Sequence, residues 1–298
     1  MSSSAIQPPE GATAVPEFDR GWRSSRDARE PFLSYVQTDP TLNWSDELEE
    51  LHEEASRTHF IDQWTRAAIL ARVGPLPQAP RIADVGCSTG YLLEDIRGAY
   101  PDAQLIGIDL LAGGLRKAHE LVPDARLLHA DACSLPLADA SVDGVVSANL
   151  LEHIADDRRA LREMARVLKP AGRAVVVVPA GPSTFDYYDR FLGHQRRYAR
   201  RELARKGREA GLEVVEDLHL ASLVFPAFWL VKARNRLRFG RLEGPALAAR
   251  VARDIASTRD SRVGRVLWRL EDWIGKGGVR APWGVRSLTV LRRPESGQ

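Results

Sequence analysis

From Pro80 onward the chain alternates short, continuous apolar runs with amphipathic segments. The runs at residues 81–85, 104–109, 125–129, 142–149 and 173–179 lack the in-out alternation of a half-exposed strand, so they are predicted to be parallel strands buried on both faces. Leu92, Ile96 and Ala99, then Leu161, Ala165 and Leu168, fall at helical spacing between them, and Lys169-Pro170-Ala171-Gly172 supplies a helix stop. A helix over about residues 200–210 leads into a sixth strand at 212–220, and 287–291 reads as the last strand. Alternating βα units of this kind predict a doubly wound parallel sheet covered by helices.

Upstream, residues 1–44 are rich in Ser, Pro, Gly and Ala with little apolar periodicity and are expected to form a loose tail. Residues 45–80 read as two helices. Ser45 is a candidate N-cap followed by Asp46, Glu47, Glu49 and Glu50, and Phe60, Trp64, Ala68 and Ala71 share a face before Gly74-Pro75. Residues 81–298 are then one domain, with an insertion at 221–284 between the last two strands that is expected to cover the substrate mouth with helices.

Charge changes this picture in one respect. The chain is nearly neutral at +2, yet residues 181–298 hold 24 Lys+Arg against 13 Asp+Glu, while residues 1–180 are net acidic. Arg outnumbers Lys 37 to 5, so the basic part offers guanidinium forks suited to anionic groups. The longest apolar run, from Leu220 to Val231, falls short of the roughly 20 residues that span a bilayer, and Met1-Ser2-Ser3-Ser4 lacks the start of a secretory signal. A cytoplasmic protein is expected. Cys87 and Cys133 belong to no CxxC pair, so neither a disulfide framework nor a metal site is expected.

The first strand ends in Asp84-Val85-Gly86-Cys87-Ser88-Thr89-Gly90, where doubly wound folds place their ligand. A dinucleotide site needs GxGxxG to embrace a pyrophosphate. Here the spacing is Gly86-x-x-x-Gly90, and the carboxylate of Asp84 suits a cation better than a phosphate. This segment resembles the first motif of class I S-adenosylmethionine (SAM)-dependent methyltransferases, an acid followed by GxGxG, with Ser88 where the middle glycine often stands. The resemblance implies SAM as cofactor and a Rossmann-like sheet of seven strands, mostly parallel with an antiparallel last strand. It extends to Asp109 at the end of the second strand, expected on the ribose hydroxyls, to Asp131 after the third, expected on the adenine amino group, and to residues 146–154 with Asn149 and His153. DNA base methylation is disfavoured, because residues 147–150 carry neither an Asn/Asp-Pro-Pro-aromatic motif nor a Cys nucleophile.

After the fifth strand, residues 185–198 are dense in Tyr, His and Arg, and the stretch from Leu192 resembles the GHxRRY element of a bacterial group of class I methyltransferases acting in polysaccharide, lipid or secondary-metabolite pathways. The expected roles are proton transfer by His194, Tyr198 or His153, and acceptor binding by Tyr187, Arg196 and Arg197. Together these readings imply methyl transfer from SAM to an O or N atom of a small molecule, anionic or glycosylated. The competing reading is a binding or scaffold protein that keeps the fold and the ligand without transfer. A weak peripheral membrane contact through Leu223–Val231 and the arginines that follow is a further expectation.

Overall fold

The computed structural model describes residues 5–10, 12–23, 29–36, 57, 59–258, 262–276, 278 and 281–295. In chain order these hold β1 (Trp22–Arg23), β2 (Arg29–Glu30), β3 (Leu33–Ser34), α1 (Phe60–Leu70), β4 (Arg81–Val85), α2 (Tyr91–Ala99), β5 (Gln104–Asp109), α3 (Ala112–Leu121), β6 (Arg126–His129) and β7 (Val142–Ala148). There follow α4 (Asp157–Val167), β8 (Leu168–Pro179), α5 (Tyr187–Phe191), α6 (Glu202–Glu209), β9 (Glu213–Leu220), α7 (Phe225–Phe239), α8 (Gly244–Thr258), α9 (Arg262–Lys276) and β10 (Arg286–Arg292).

The main sheet runs β3-β6-β5-β4-β7-β8-β10-β9. Pairs from β3 to β8 are parallel, and β10 lies antiparallel between β8 and β9. Successive side chains leave a strand on opposite faces, so the continuous apolar runs feed two cores at once. Ala83, Val85, Ile106, Ile108 and Leu128 pack into one, and Ile82, Leu105, Leu127, Val146 and Val175 into the other. The order of strands reverses at β4, which places the crevice beyond its carboxyl end, between the segments that follow β4 and β7.

Two features differ from expectation. The sheet has an eighth strand, β3, and described residues of the stretch expected as a tail pack onto the domain: Ile6 bridges Leu137, and buried Trp22 donates its indole N–H to the Leu127 carbonyl at 3.0 Å. An indole worth burying, with a partner for its N–H, offsets the entropy of ordering these residues. The fifth strand also starts earlier than residue 173, because the residues expected as a stop continue from Leu168 with Ala171 in a left-handed conformation. The helix expected at Ser45 lies outside the described residues. The insertion forms α7, α8 and α9. Among the described residues no helix is long and apolar enough to cross a membrane.

Candidate functional site

At the carboxyl end of β4 the chain makes a turn pinned to the next strand: the N–H groups of Gly86 and Cys87 both donate to the Ile108 carbonyl, at 2.8 and 3.1 Å. Gly86 has φ +84°, a conformation that favours glycine, and a Cβ there would press on the Leu150 side chain at 3.0 Å. Ser88 (φ +47°) donates its N–H to Asp109 Oδ2 at 2.8 Å, and Asp109 Oδ1 accepts from Leu111 N–H at 2.9 Å. This carboxylate therefore clamps the turn to the end of β5 and faces the same crevice. Asp131 Oδ1 accepts from Cys133 N–H at 2.8 Å, holding the turn after β6. Asn149, left-handed at φ +55°, is tied by its N–H to the Val177 carbonyl, while its buried Oδ1 has no hydrogen-bond partner.

Asp84 is the most telling of these groups. Its side chain is buried, its Oδ2 lacks a partner, and burial followed by the charge of Asp109 pushes its pKa up to about 8. A carboxyl in that position is arranged for a cation that none of the described residues provides.

Asp84, Gly86, Ser88, Asp109, Asp131 and Asn149 line a single cavity of about 890 Å³. Its other walls come from the start of α1 (His59, Phe60, Asp62), from the loop after β8 and from α7 and α8. Gly90 does not line it. That glycine starts α2 in a left-handed conformation, and a Cβ there would meet Ala118 at 2.9 Å, so it serves the packing of α2 on α3.

The loop after β8 is organised by two buried carboxylates. Asp186 caps α5, and Asp189 closes the capping box by accepting the Asp186 N–H. Asp186 Oδ1 also accepts from Lys232 Nζ of α7 at 2.7 Å, and Asp189 Oδ1 accepts from His194 Nδ1 at 2.9 Å and Arg197 Nε at 2.7 Å. Burial would raise the Asp189 pKa, but the bond from His194 and the charges of Arg197 and Lys232 outweigh it and hold the group well below the usual carboxylate range. An ionised Asp189 can only accept, so His194 donates to it from Nδ1 and turns Nε2 towards Glu152 Oε1, 4.0 Å away. His153 meets the His194 ring edge-on, with centroids 4.7 Å apart. Gln195 ties the two segments together, donating its N–H to the Glu152 carbonyl and its side-chain amide to that of His153.

The expected acceptor and proton-transfer residues separate here. His153, His194, Tyr187 and Arg197 line the cavity. Tyr198 and Arg196 do not, which corrects the expectation for both: the Tyr198 hydroxyl donates to Asp157 Oδ2 at 2.7 Å, and Arg196 ion-pairs with Asp157 at 3.0 Å. Tyr198 is fully buried, and burial with the Asp157 carboxylate beside it raises its pKa far above an ordinary phenol's. A proton relay through it has no route to the cavity. Tyr187 sits on the wall, bonded to Asp254 of α8, with its pKa pushed up to about 12 by burial first. Sequence reasoning gave no role to Glu152, Asp186, Asp189 or Lys232. The available signals were an acid set in the apolar run around Leu151 and Ile154, and a lysine closing the run from Phe225 to Val231.

Residues 83–176 match the methyltransferase domain family. The match ends near the close of β8, so the N-terminal helix, the loop after β8 and the insertion lie outside it. The ubiquinone/menaquinone biosynthesis C-methyltransferase UbiE of Syntrophotalea carbinolica is 36% identical over 149 residues, 49% of this chain and 60% of the relative. The O-methyltransferase cnsE of Penicillium expansum is 37% identical over 121 residues, 39% of this chain and 43% of the relative. The chain thus spans about half the length of the relatives it matches. Phosphoethanolamine N-methyltransferase 2 of Haemonchus contortus, solved with S-adenosyl-L-methionine, superposes with a TM-score of 0.57 at 18% identity, over 86% of this chain and 59% of that one. The fold is the Rossmann-like fold of methyltransferases, with one strand added at the edge beside β6.

Proposed function

We propose that the protein is a SAM-dependent methyltransferase acting on a small molecule held under α7 and α8. The observation that carries this reading is the buried carboxyl of Asp84, whose Oδ2 lacks a hydrogen-bond partner, beside the Gly86 turn and in one cavity with Asp109 and Asp131. SAM, when bound, supplies an electrophilic methyl group on a sulfonium leaving group. Asp84 would meet its ammonium group, Asp109 would accept from the ribose hydroxyls with the lone pairs that Ser88 and Leu111 leave, and Asp131 would meet the adenine amino group. Methyltransferase names among the relatives and the SAM complex of the structural neighbour support the same cofactor.

The acceptor faces a mostly apolar wall of Ala227, Phe228, Val231 and Leu192, interrupted by Tyr187, Tyr188 and the charged cluster. Arg197 and Lys232 are already neutralised by Asp189 and Asp186, and Arg196 lies elsewhere, so support for an anionic group on the acceptor is weaker than the sequence implied. An acceptor with an apolar body and one hydroxyl, amine or activated carbon fits better. Carbon joins oxygen and nitrogen here because one relative is named a C-methyltransferase. His194, oriented by Asp189, and Glu152 are the groups placed to take an acceptor proton. Incubating the protein with methyl-labelled SAM and a pooled small-molecule extract tests the proposal. Labelled product with one equivalent of S-adenosylhomocysteine supports it, and SAM binding without turnover over a broad pool favours the scaffold reading.

A specific observation also supports peripheral contact with anionic lipid. Val263, Val266, Leu270 and Trp273 of α9 form an exposed stripe at helical spacing, Leu230 and Leu237 of α7 are exposed likewise, and Arg234, Arg236, Arg238 and Arg269 stand on the same two helices. Sedimentation with anionic but not zwitterionic vesicles is the expected result. Equal recovery with both, or with neither, removes it.

A further inference from the structure

Glu152, His153 and His194 each offer one ligand atom, and the three atoms lie within 4.8 Å of one another at the wall of the cavity. Three features separate this cluster from an incidental gathering of polar groups. First, the Glu152 side chain is fully buried and neither of its carboxylate oxygens has a hydrogen-bond partner. A buried carboxylate left so is costly unless a cation meets it. Second, Asp189 holds His194 through Nδ1, which fixes the ring and leaves Nε2 facing Glu152 Oε1 at 4.0 Å. A carboxylate behind the far nitrogen of an imidazole is the outer-shell support typical of metal-ligating histidines. Third, cations near the cluster are already engaged by other carboxylates: Arg197 pairs with Asp189, Lys232 with Asp186 and Asp189, and Arg286 with Asp62 at 3.5 Å.

We infer that Glu152, His153 and His194 bind one divalent first-row transition-metal ion, which takes the place of proton acceptance by His194 and Glu152 and leaves a coordination position open to an oxygen of the methyl acceptor. Two imidazoles and one carboxylate select such ions over magnesium or calcium, which prefer all-oxygen sites. Three protein ligands with a fourth position open is the pattern of a catalytic site, where structural sites are closed. With bonds of about 2.0–2.2 Å the ligand atoms of a tetrahedral site stand about 3.3 Å apart, so side-chain rotations of about 1 Å close the cluster around an ion. The turn Leu151–His153 and the Gln195 bonds fix the backbones from which those rotations start. The expectation of no metal site rested on cysteine spacing, which is blind to a Glu-His pair completed by a histidine 41 positions later.

The open position facing an acceptor rests on the methyl-transfer reading, but ion binding does not, and one experiment separates them. Tag-free protein stripped with chelator is titrated with Co²⁺, followed by visible absorption and calorimetry, and in parallel with SAM. One saturable cobalt site per chain is expected, with visible bands of a low-symmetry N/O site. Its dissociation constant should rise at least tenfold in each of Glu152→Gln, His153→Asn and His194→Asn, and about 10–100-fold in Asp189→Asn, which acts through His194. His153, unlike Glu152, is only partly buried, so its variant remains informative should Glu152→Gln misfold. Wild-type protein that binds SAM but no cobalt overturns this inference and leaves the proposed function standing. Cobalt binding without SAM binding does the reverse. Cobalt binding of equal strength in folded His153→Asn and His194→Asn proteins places the ion elsewhere and overturns the inference.

Discussion

Replacing Asp84 with asparagine is expected to stabilise the protein and to abolish its affinity for SAM. The carboxyl has its pKa raised from 3.8 to about 8. A raised carboxyl contributes stability that is complete below the unfolded pKa and is lost as pH rises towards the folded one, because over that window only the unfolded chain releases the proton freely. At pH 7 the loss is of the order of 4 kcal/mol. Asparagine removes it, at a cost of about 1–3 kcal/mol for its own unpaired amide. A net gain of about 1–3 kcal/mol remains, which is about 2–10 °C in Tm for a chain of this size. Around pH 4 the gain should disappear. In the wild type, a ligand that needs the ionised carboxylate should bind about fifty-fold more weakly at pH 6 than at pH 8, since only the ionised fraction is competent. Thermal unfolding of both proteins at pH 4, 6 and 8, with and without SAM, reads all of this. An Asp84→Asn protein no more stable than wild type at pH 8, or one that SAM protects as well as wild type, would refute the reasoning.

Asp109→Ala removes the clamp on Ser88 and Leu111 as well as the ribose acceptor, so SAM affinity measured by calorimetry should fall by at least tenfold and Tm should drop by a few degrees. Gly86→Val forces a branched residue to φ +84° and its Cβ into Leu150; SAM binding should be lost and, by chemical denaturation, stability reduced by about 1–3 kcal/mol. Tyr198→Phe leaves Asp157 with Lys206 and Arg196, so stability should fall by about 1–2 kcal/mol while kcat with the real acceptor stays within about twofold of wild type. A thousandfold loss of kcat there would return Tyr198 to catalysis.

The sheet was legible because parallel strands buried on both faces leave uninterrupted apolar runs, as at residues 104–109 and 142–148. Strand β3 was not, since two residues carry no period, and the burial of Trp22 depends on a carbonyl 105 positions away. The cofactor half of the cavity could be read because its groups sit at fixed offsets from strand ends: Asp84, Asp109 and Asp131 each close or follow one. The acceptor half could not. Around the bridge between Ala180 and Tyr198 the backbone is extended, so neighbouring side chains leave on opposite sides, and Arg197 enters the cavity while Arg196 and Tyr198 go to Asp157. Arg-Arg-Tyr in sequence gives no sign of which side is which. Glu152 and Asp189 acquire meaning only once the turn after β7 and the helix α5 are brought together.

The central claim is that this cavity is built for SAM, and calorimetric titration of the wild-type protein with SAM at pH 8 tests it most directly. One saturable site per chain is expected, with affinity falling as the pH is lowered to 6. No saturable heat from a folded protein at pH 8, together with no shift in Tm, would contradict it.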